Sequence, residues 1–232
     1  SQIKVNDLEE SLRDSSSALY TINGFPQRAP QEENVIAETQ LRVMKLSELR
    51  NKLTHDDLEE RALTWIEREQ DQANPLRDLH SLHHQDAWVI LAPKHHQGGE
   101  LSVRHVRAQL DNEDSVVSAP GLWIYLDEGA QLKVDERFKS SDKSGGVSLG
   151  LTGIYVSAKA HFHHVRAQLE ASSDDEAHPS VHLAHVCAQV QTEGHYRLTS
   201  LNLGAEIGRV ELDISLNTPK SSADLSGLYV GA

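Results

Sequence analysis

His105-Val106-Arg107-Ala108-Gln109, His164-Val165-Arg166-Ala167-Gln168 and His185-Val186-Cys187-Ala188-Gln189 are three near-copies of one pentapeptide, each set in a longer run of period two. Alternation of apolar with polar residues is the mark of a strand with two unlike faces. It predicts Val106, Ala108 and Leu110, then Val165, Ala167 and Leu169, then Val186, Ala188 and Val190 as the inward sets. The His, Arg or Cys, and Gln of each copy would then point outward. Small and medium inward residues suit closely stacked layers.

Working outward from these copies, the same period fills nearly everything after Trp88: AWVILA, GLWIYL, AQLKVDERF, VSLGLTGIYVS, HYRLTSLNLG, GRVELDISL and ADLSGLYV. The breaks between these runs are small, at Glu128-Gly129, Ala158-Lys159, Glu193-Gly194 and Thr218-Pro219-Lys220. Regular β spacing predicts a sandwich, barrel or solenoid. Tight hairpins favour Asn-Gly or Asp-Gly, and neither dipeptide occurs after Trp88, which tilts the reading towards a solenoid whose corners pass the chain to a neighbouring sheet.

Upstream, residues 1–34 read as a polar, irregular lead-in punctuated by Asn23-Gly24, Pro26 and Pro30. Residues 46–70 read as a helix opened by a Thr54/Asp57 capping box, with Leu58, Ala62, Trp65 and Ile66 on one face. Glu59, Glu60, Glu67 and Arg68 would form its solvated face, and Asn74-Pro75 would stop it. The chain thus divides into a partly irregular and helical segment, 1–80, and a β region, 81–232.

Composition excludes several function classes. The 232 residues suffice for one β-rich domain with an accessory segment. A net charge of −13, from 35 acidic and 22 basic residues, repels a phosphate backbone, and three Trp, five Tyr and three Phe are too few for a base-stacking platform. No apolar run is long enough to cross a bilayer, and the opening SQIKVNDLEESLRDSSS lacks the pattern of a signal peptide. One cysteine, Cys187, precludes an intramolecular disulfide, so a reducing, cytoplasmic or plastid setting is expected.

The second half resembles the core of the SufB/SufD family, the scaffold proteins of the SUF system. The resemblance lies in Leu122-Trp123-Ile124-Tyr125-Leu126-Asp127-Glu128-Gly129-Ala130-Gln131-Leu132-Lys133-Val134-Asp135-Glu136, in Ala160-His161-Phe162-His163-His164-Val165-Arg166, in Leu201-Asn202-Leu203-Gly204 with Arg209, and in Leu225-Ser226-Gly227-Leu228-Tyr229-Val230. Phe25-Pro26 and the helix after it are a looser likeness to the region preceding that core. The resemblance implies a mainly β fold, a right-handed parallel β-helix flattened into two sheets with an N-terminal helical segment. It implies a non-catalytic scaffold subunit of an iron–sulfur cluster assembly complex, with a paralogous SufB-like subunit and a SufC-like ABC ATPase as partners. Family members continue past the Gly-Leu-Tyr strand into further coils and ATPase-docking helices, so a chain ending at Ala232 reads as lacking that C-terminal part. No catalytic, cofactor-binding or metal-ligating residue carries over, and any cluster would be held transiently at the level of the complex. The lone cysteine favours a SufD-like over a SufB-like subunit.

Other chemistry was weighed on the residues. Gly146-Val147-Ser148-Leu149-Gly150 fits the nucleophile elbow G-x-S-x-G, but the β-type run after it is not the helix that motif requires. His161-x-His163 with His164 could present imidazoles to a metal, and a His-based, cupin-like β-barrel enzyme is the alternative function. The acid such a site needs is absent, since Ala167 and Gln168 occupy its place, so solvated histidines are the simpler reading. His83-His84 and His95-His96 lack a second ligand. Cys187, at an outward position, would be accessible, yet one thiolate cannot hold a cluster. Ser172-Ser173-Asp174-Asp175-Glu176 reads as a solvated loop without the comb of a calcium site.

Overall fold

The structure is a computed structural model, and it describes residues 18–27, 40–109, 116–141, 143, 145–174 and 178–230. Two mixed 7-stranded sheets face one another, one of them counting a short strand that lies off its main path. The chain first forms β1 (Ala18–Ile22), β2 (Phe25–Gln27) and β3 (Arg42–Lys45), then α1 (Leu46–Asn51), α2 (Asp57–Gln70) and α3 (Pro75–His83). From β4 (Ala87–Ala92) onward it alternates between the sheets. β5 (Glu100–Arg107), β8 (Gln131–Ser140), β10 (His161–Gln168), β12 (His195–Asn202) and β14 (Ser222–Tyr229) belong to sheet A, where β1 and β2 form the edge. β7 (Gly121–Leu126), β9 (Gly146–Val156), β11 (Ser180–Val190) and β13 (Ile207–Ser215) join β3 and β4 in sheet B, with short β6 (Val116–Ser118) beside β9. Successive strands of each sheet from β4 and β5 onward pair in parallel, so each circuit stacks on the last. This is the expected two-sheet parallel β-helix, and it excludes the up-and-down barrel of the cupin-like alternative.

The corners lie where the sequence breaks. His95, Gly129, Lys159, Glu193 and Lys220 all have positive φ, and they stack: His95 N–H donates to Glu128 O, Gly129 N–H to Ala158 O, Lys159 N–H to Thr192 O, and Glu193 N–H to Pro219 O. One left-handed residue per circuit turns the chain from sheet B to sheet A without reversing it.

β4 and β7 of sheet B are buried on both faces, which is why AWVILA and GLWIYL are apolar throughout. Inside, Ile90, Ile124, Ile154 and Val186 meet Val103, Val134, Phe162 and Leu198 of sheet A. Outside, Leu58, Ala62, Trp65 and Ile66 of α2 pack on Val89, Leu91, Trp123 and Tyr125. Trp65 meets Trp123 edge-on at 5.6 Å, and Tyr125 stacks on Tyr155 at 4.7 Å. Trp123 is seated over Gly153, where an added Cβ would lie 2.2 Å from the indole ring. Gly153→Ala is therefore expected to destabilise the fold by about 1–3 kcal/mol through overpacking, measured as a lower urea midpoint; an unchanged midpoint would refute the fit.

Four local expectations are corrected. Residues 18–27 form a hairpin, because Asn23 (φ 50°) and Gly24 (φ 85°) supply the two left-handed residues of a tight turn; the rest of the expected lead-in lies outside the described residues. The helical stretch is two helices, and the cap of α2 is Asp56, which accepts from Glu59 N–H in a capping box. Asn74-Pro75 starts a helix instead of stopping one: Asn74 caps α3 by accepting from Leu76 and Arg77 N–H, with Pro75 in the first turn where its missing N–H costs nothing. Glu59, expected in solvent, is buried against Lys52 at 2.6 Å.

Candidate functional site

The three pentapeptides do not share one orientation. In β11, Val186, Ala188 and Val190 face the interior as expected. In β5 and β10, which lie in sheet A, the polar residues do: His105, Arg107, His164, Arg166 and Gln168 are all buried between the sheets, while Val165 is on the other side and half-exposed. The inward roles assigned to Val106, Ala108, Val165 and Ala167 are therefore reversed, and His164 is not on a solvated face. Leu110 lies outside the described residues, and Leu169 is exposed. Alternation fixes which residues share a face but not which face is inside; here ionic partners from neighbouring circuits satisfy the polar set.

Those partners form a network across the interior. Glu136, on β8, accepts from His105 Nε2 (3.1 Å), His164 Nε2 (3.0 Å) and Thr152 Oγ1 (2.9 Å). His105 Nδ1 lies 2.8 Å from Thr21 Oγ1, and His164 Nδ1 lies 3.1 Å from the Tyr196 hydroxyl. Arg166 Nε lies 3.9 Å from Glu136, and its guanidinium sits over the Phe138 ring at 4.5 Å. Arg166 Nη2 donates to His182 Nε2 (2.5 Å), so Nδ1 of that ring carries its hydrogen and faces Glu170 Oε2 at 2.7 Å. Glu170 also accepts from Ser148 Oγ and Gln168 Nε2, and Arg107 Nε stands 3.8 Å away. Two carboxylates thus face two guanidiniums. Buried charge is tolerable only when paired and hydrogen-bonded in this way.

Burial works to raise both carboxyl pKa values, but the surroundings win. Hydrogen bonds and charge from His105 and His164 hold Glu136 well below the usual carboxylate range. Contact with the His182 ring, with Ser148 and Gln168, brings Glu170 to about 2. His182 and Arg166 are pushed down by burial. The residues that sequence reasoning missed are Glu136 and Glu170; the only signal was a charged residue at the inward position of an alternating strand.

The remaining candidates separate. Ser148 lies within β9, buried, donating to Glu170; this is not a strand-to-helix elbow. Cys187 is buried under α2 and α3, not accessible, and burial pushes its thiol up to about 12, which suppresses the thiolate. It lines a cleft of about 1190 Å³ between α2 and sheet B, whose charged walls are partly self-paired, as with Arg61 and Asp57 at 2.9 Å. His161 and His163 lie on the outer face of sheet A, away from His164. His83 is exposed; His84 stacks on buried His80 at 4.8 Å; His95 and His96 occupy a corner. Among the described residues, no three His, Cys, Asp or Glu side chains are grouped to hold a metal ion. Ser172, Ser173 and Asp174 are partly or fully exposed, and Asp175 and Glu176 lie outside the described residues. No helix of the described residues is long and apolar enough to cross a membrane.

The chain was compared with known proteins. The curated proteins searched contain no match. A family model described as "SUF system FeS cluster assembly, SufBD core domain" matches residues 106–232, which takes in every circuit from the end of β5 onward. That match covers more than half of the chain and agrees with the two-sheet β-helix: the protein belongs to the SufBD core family of the SUF system for iron–sulfur cluster assembly.

Proposed function

We propose that this chain is a non-catalytic, SufD-like scaffold subunit that pairs with a SufB-like paralogue and works with a SufC-like ABC ATPase, in the cytoplasm or a plastid. Residues 81–232 are the core, and 1–80 are an accessory segment. The cluster is cargo, formed at the level of the complex. The single cysteine supports a SufD-like part, since burial leaves it without a reactive thiolate.

The match of residues 106–232 to the SufBD core carries the reading, and the last described circuit offers a surface to which another strand can add, from a further coil of the same protein or from a partner subunit. Leu212 of β13 stands in line with inward Val186, and Leu225 and Tyr229 of β14 with inward Leu198 and Asn202. They are core positions by register, yet they are 40, 53 and 60% exposed. Beside them β13 and β14 each present an open strand edge. Unpaired edges with apolar inward residues recruit another strand. Co-expression with a SufB-like subunit and a SufC-like ATPase, followed by purification and native mass measurement, tests the reading. A stoichiometric complex is expected, and Leu212→Glu with Leu225→Lys should abolish it while the isolated chain keeps its circular dichroism. A chain that stays monomeric with both partners present would overturn it.

A further inference from the structure

The outer face of sheet A is opposite in character to the helix-covered face of sheet B. In a chain of net charge −13, it carries a cavity of about 330 Å³ lined by Lys133, His161, His163, His195 and Arg197, with Gln131 and Gly98-Gly99 at its margin. Among the described residues, no carboxylate lines it. The helical register of the circuits brings these groups together. Lys133, His163 and Arg197 are direct neighbours on β8, β10 and β12, and Gln131, His161 and His195 form the adjacent row. With strands about 4.8 Å apart and alternate residues about 6.6 Å apart, five nitrogen-bearing side chains share a patch of roughly 10 by 7 Å.

The nearest carboxylates stand at the two ends of the row. Glu100, on β5, is 3.0 Å from Lys133, and Asp224, on β14, is 3.4 Å from both Arg197 and His195. Neither reaches the middle of the patch, where His161 and His163 sit. The ring of His161 is 6.0 Å from that of His195. Partial burial, followed by the charges of Lys133 and Arg197, lowers the pKa of His163, and each of those two cations keeps a carboxylate on its outer side with which a bound anion would compete. Gly98 and Gly99 have φ of 71° and 106°, and a Cβ at Gly98 would meet only open space, so the rim is clear for a ligand.

We propose that this cavity binds an extended oxyanion of the di- or polyphosphate type. Arg197 and Lys133 supply the fixed charges, one with a planar fork of donors and one as a point charge. The three imidazoles donate to further oxygens, and because a bound anion opposes the lowering of the His163 pKa, binding tightens as the pH falls. Several oxygens spread along a chain match two rows of donors, whereas a single carboxylate would engage one row.

The test is an NMR titration of the whole chain with sodium pyrophosphate, following the imidazole signals at about pH 6 and about pH 8. Saturable shifts of His161, His163 and His195 are expected, with tighter binding at the lower pH. Lys133→Ala with Arg197→Ala, both at surface positions, should weaken binding at least about tenfold without altering the rest of the spectrum. Lys139→Ala, on the same face but outside the lining, should leave it unchanged. A parallel titration with ATP identifies the source of the phosphates: tighter binding than pyrophosphate supports a nucleotide, and equal binding supports the phosphate chain alone. No shifts at millimolar pyrophosphate, or equal weakening by Lys139→Ala and the double variant, would overturn the proposal.

Discussion

Replacing Glu136 by glutamine is expected to cost about 3–5 kcal/mol of folding stability, the range for breaking a buried ion pair from one side. The carboxylate is the shared acceptor of His105, His164 and Thr152 and the nearest counter-charge to Arg166. An amide keeps the shape but offers one acceptor oxygen in place of two and no charge. It therefore leaves a guanidinium buried among Phe138, His182 and Asn202 without its carboxylate. Adding Arg166→Leu would remove that charge but restore no acceptor to the two imidazoles, so the double variant should recover only part of the loss. Urea denaturation measures both, and a loss below about 1 kcal/mol for the single variant would show that the network does not hold the sheets together.

Acid should weaken the fold in two stages. Burial, and then the neighbouring His84, lower His80 from 6.5 to about 3, while His80 Nε2 lies 3.2 Å from Pro120 O under α3. The unfolded chain takes up this proton near its ordinary pKa and the folded chain does not. The contribution is thus fully present above about pH 6.5 and erodes as the pH falls towards 3. From pH 6.5 to 4.5 it amounts to roughly 2.7 kcal/mol at 1.36 kcal/mol per unit. Glu136 and Glu170, whose folded pKa values are lowered, add a second stage: their contribution is present above about 4.5 and is lost as the pH drops towards 2. His80→Gln should reduce the slope of the stability profile between pH 6.5 and 4.5, leaving the part that His84 and His182 contribute and the lower stage in place. An identical slope in the variant would place the acid sensitivity elsewhere.

Burial also limits how the charge of the chain responds to acid. With fourteen histidines the net charge should shrink towards neutrality in mild acid, but His80, His96, His105, His164, His182 and His185 are buried. For His80 and His182, whose pKa values burial lowers, the folded chain resists that titration. The site was only partly legible for the same reason. His161 and His163 could be seen to share a strand face, but their meeting with Lys133, His195 and Arg197 depends on stacking register. Cys187 was read as accessible because the helices over sheet B cannot be inferred from the strand that carries it.

The sequence by itself determined the local geometry. Alternation made the strands, unbroken apolar runs marked strands covered on both faces, and the absence of Asn-Gly or Asp-Gly after Trp88 matched corners built on single left-handed residues. All of these depend on interactions within a few residues. Only the tertiary structure decided which face of β5 and β10 is the interior, which circuits lie in contact, and hence that Glu136 and Glu170 meet Arg166 and Arg107 in the core. A period of two has no preferred side; the side is set by what neighbouring circuits offer, and a charge can face inward only where a distant residue supplies its partner.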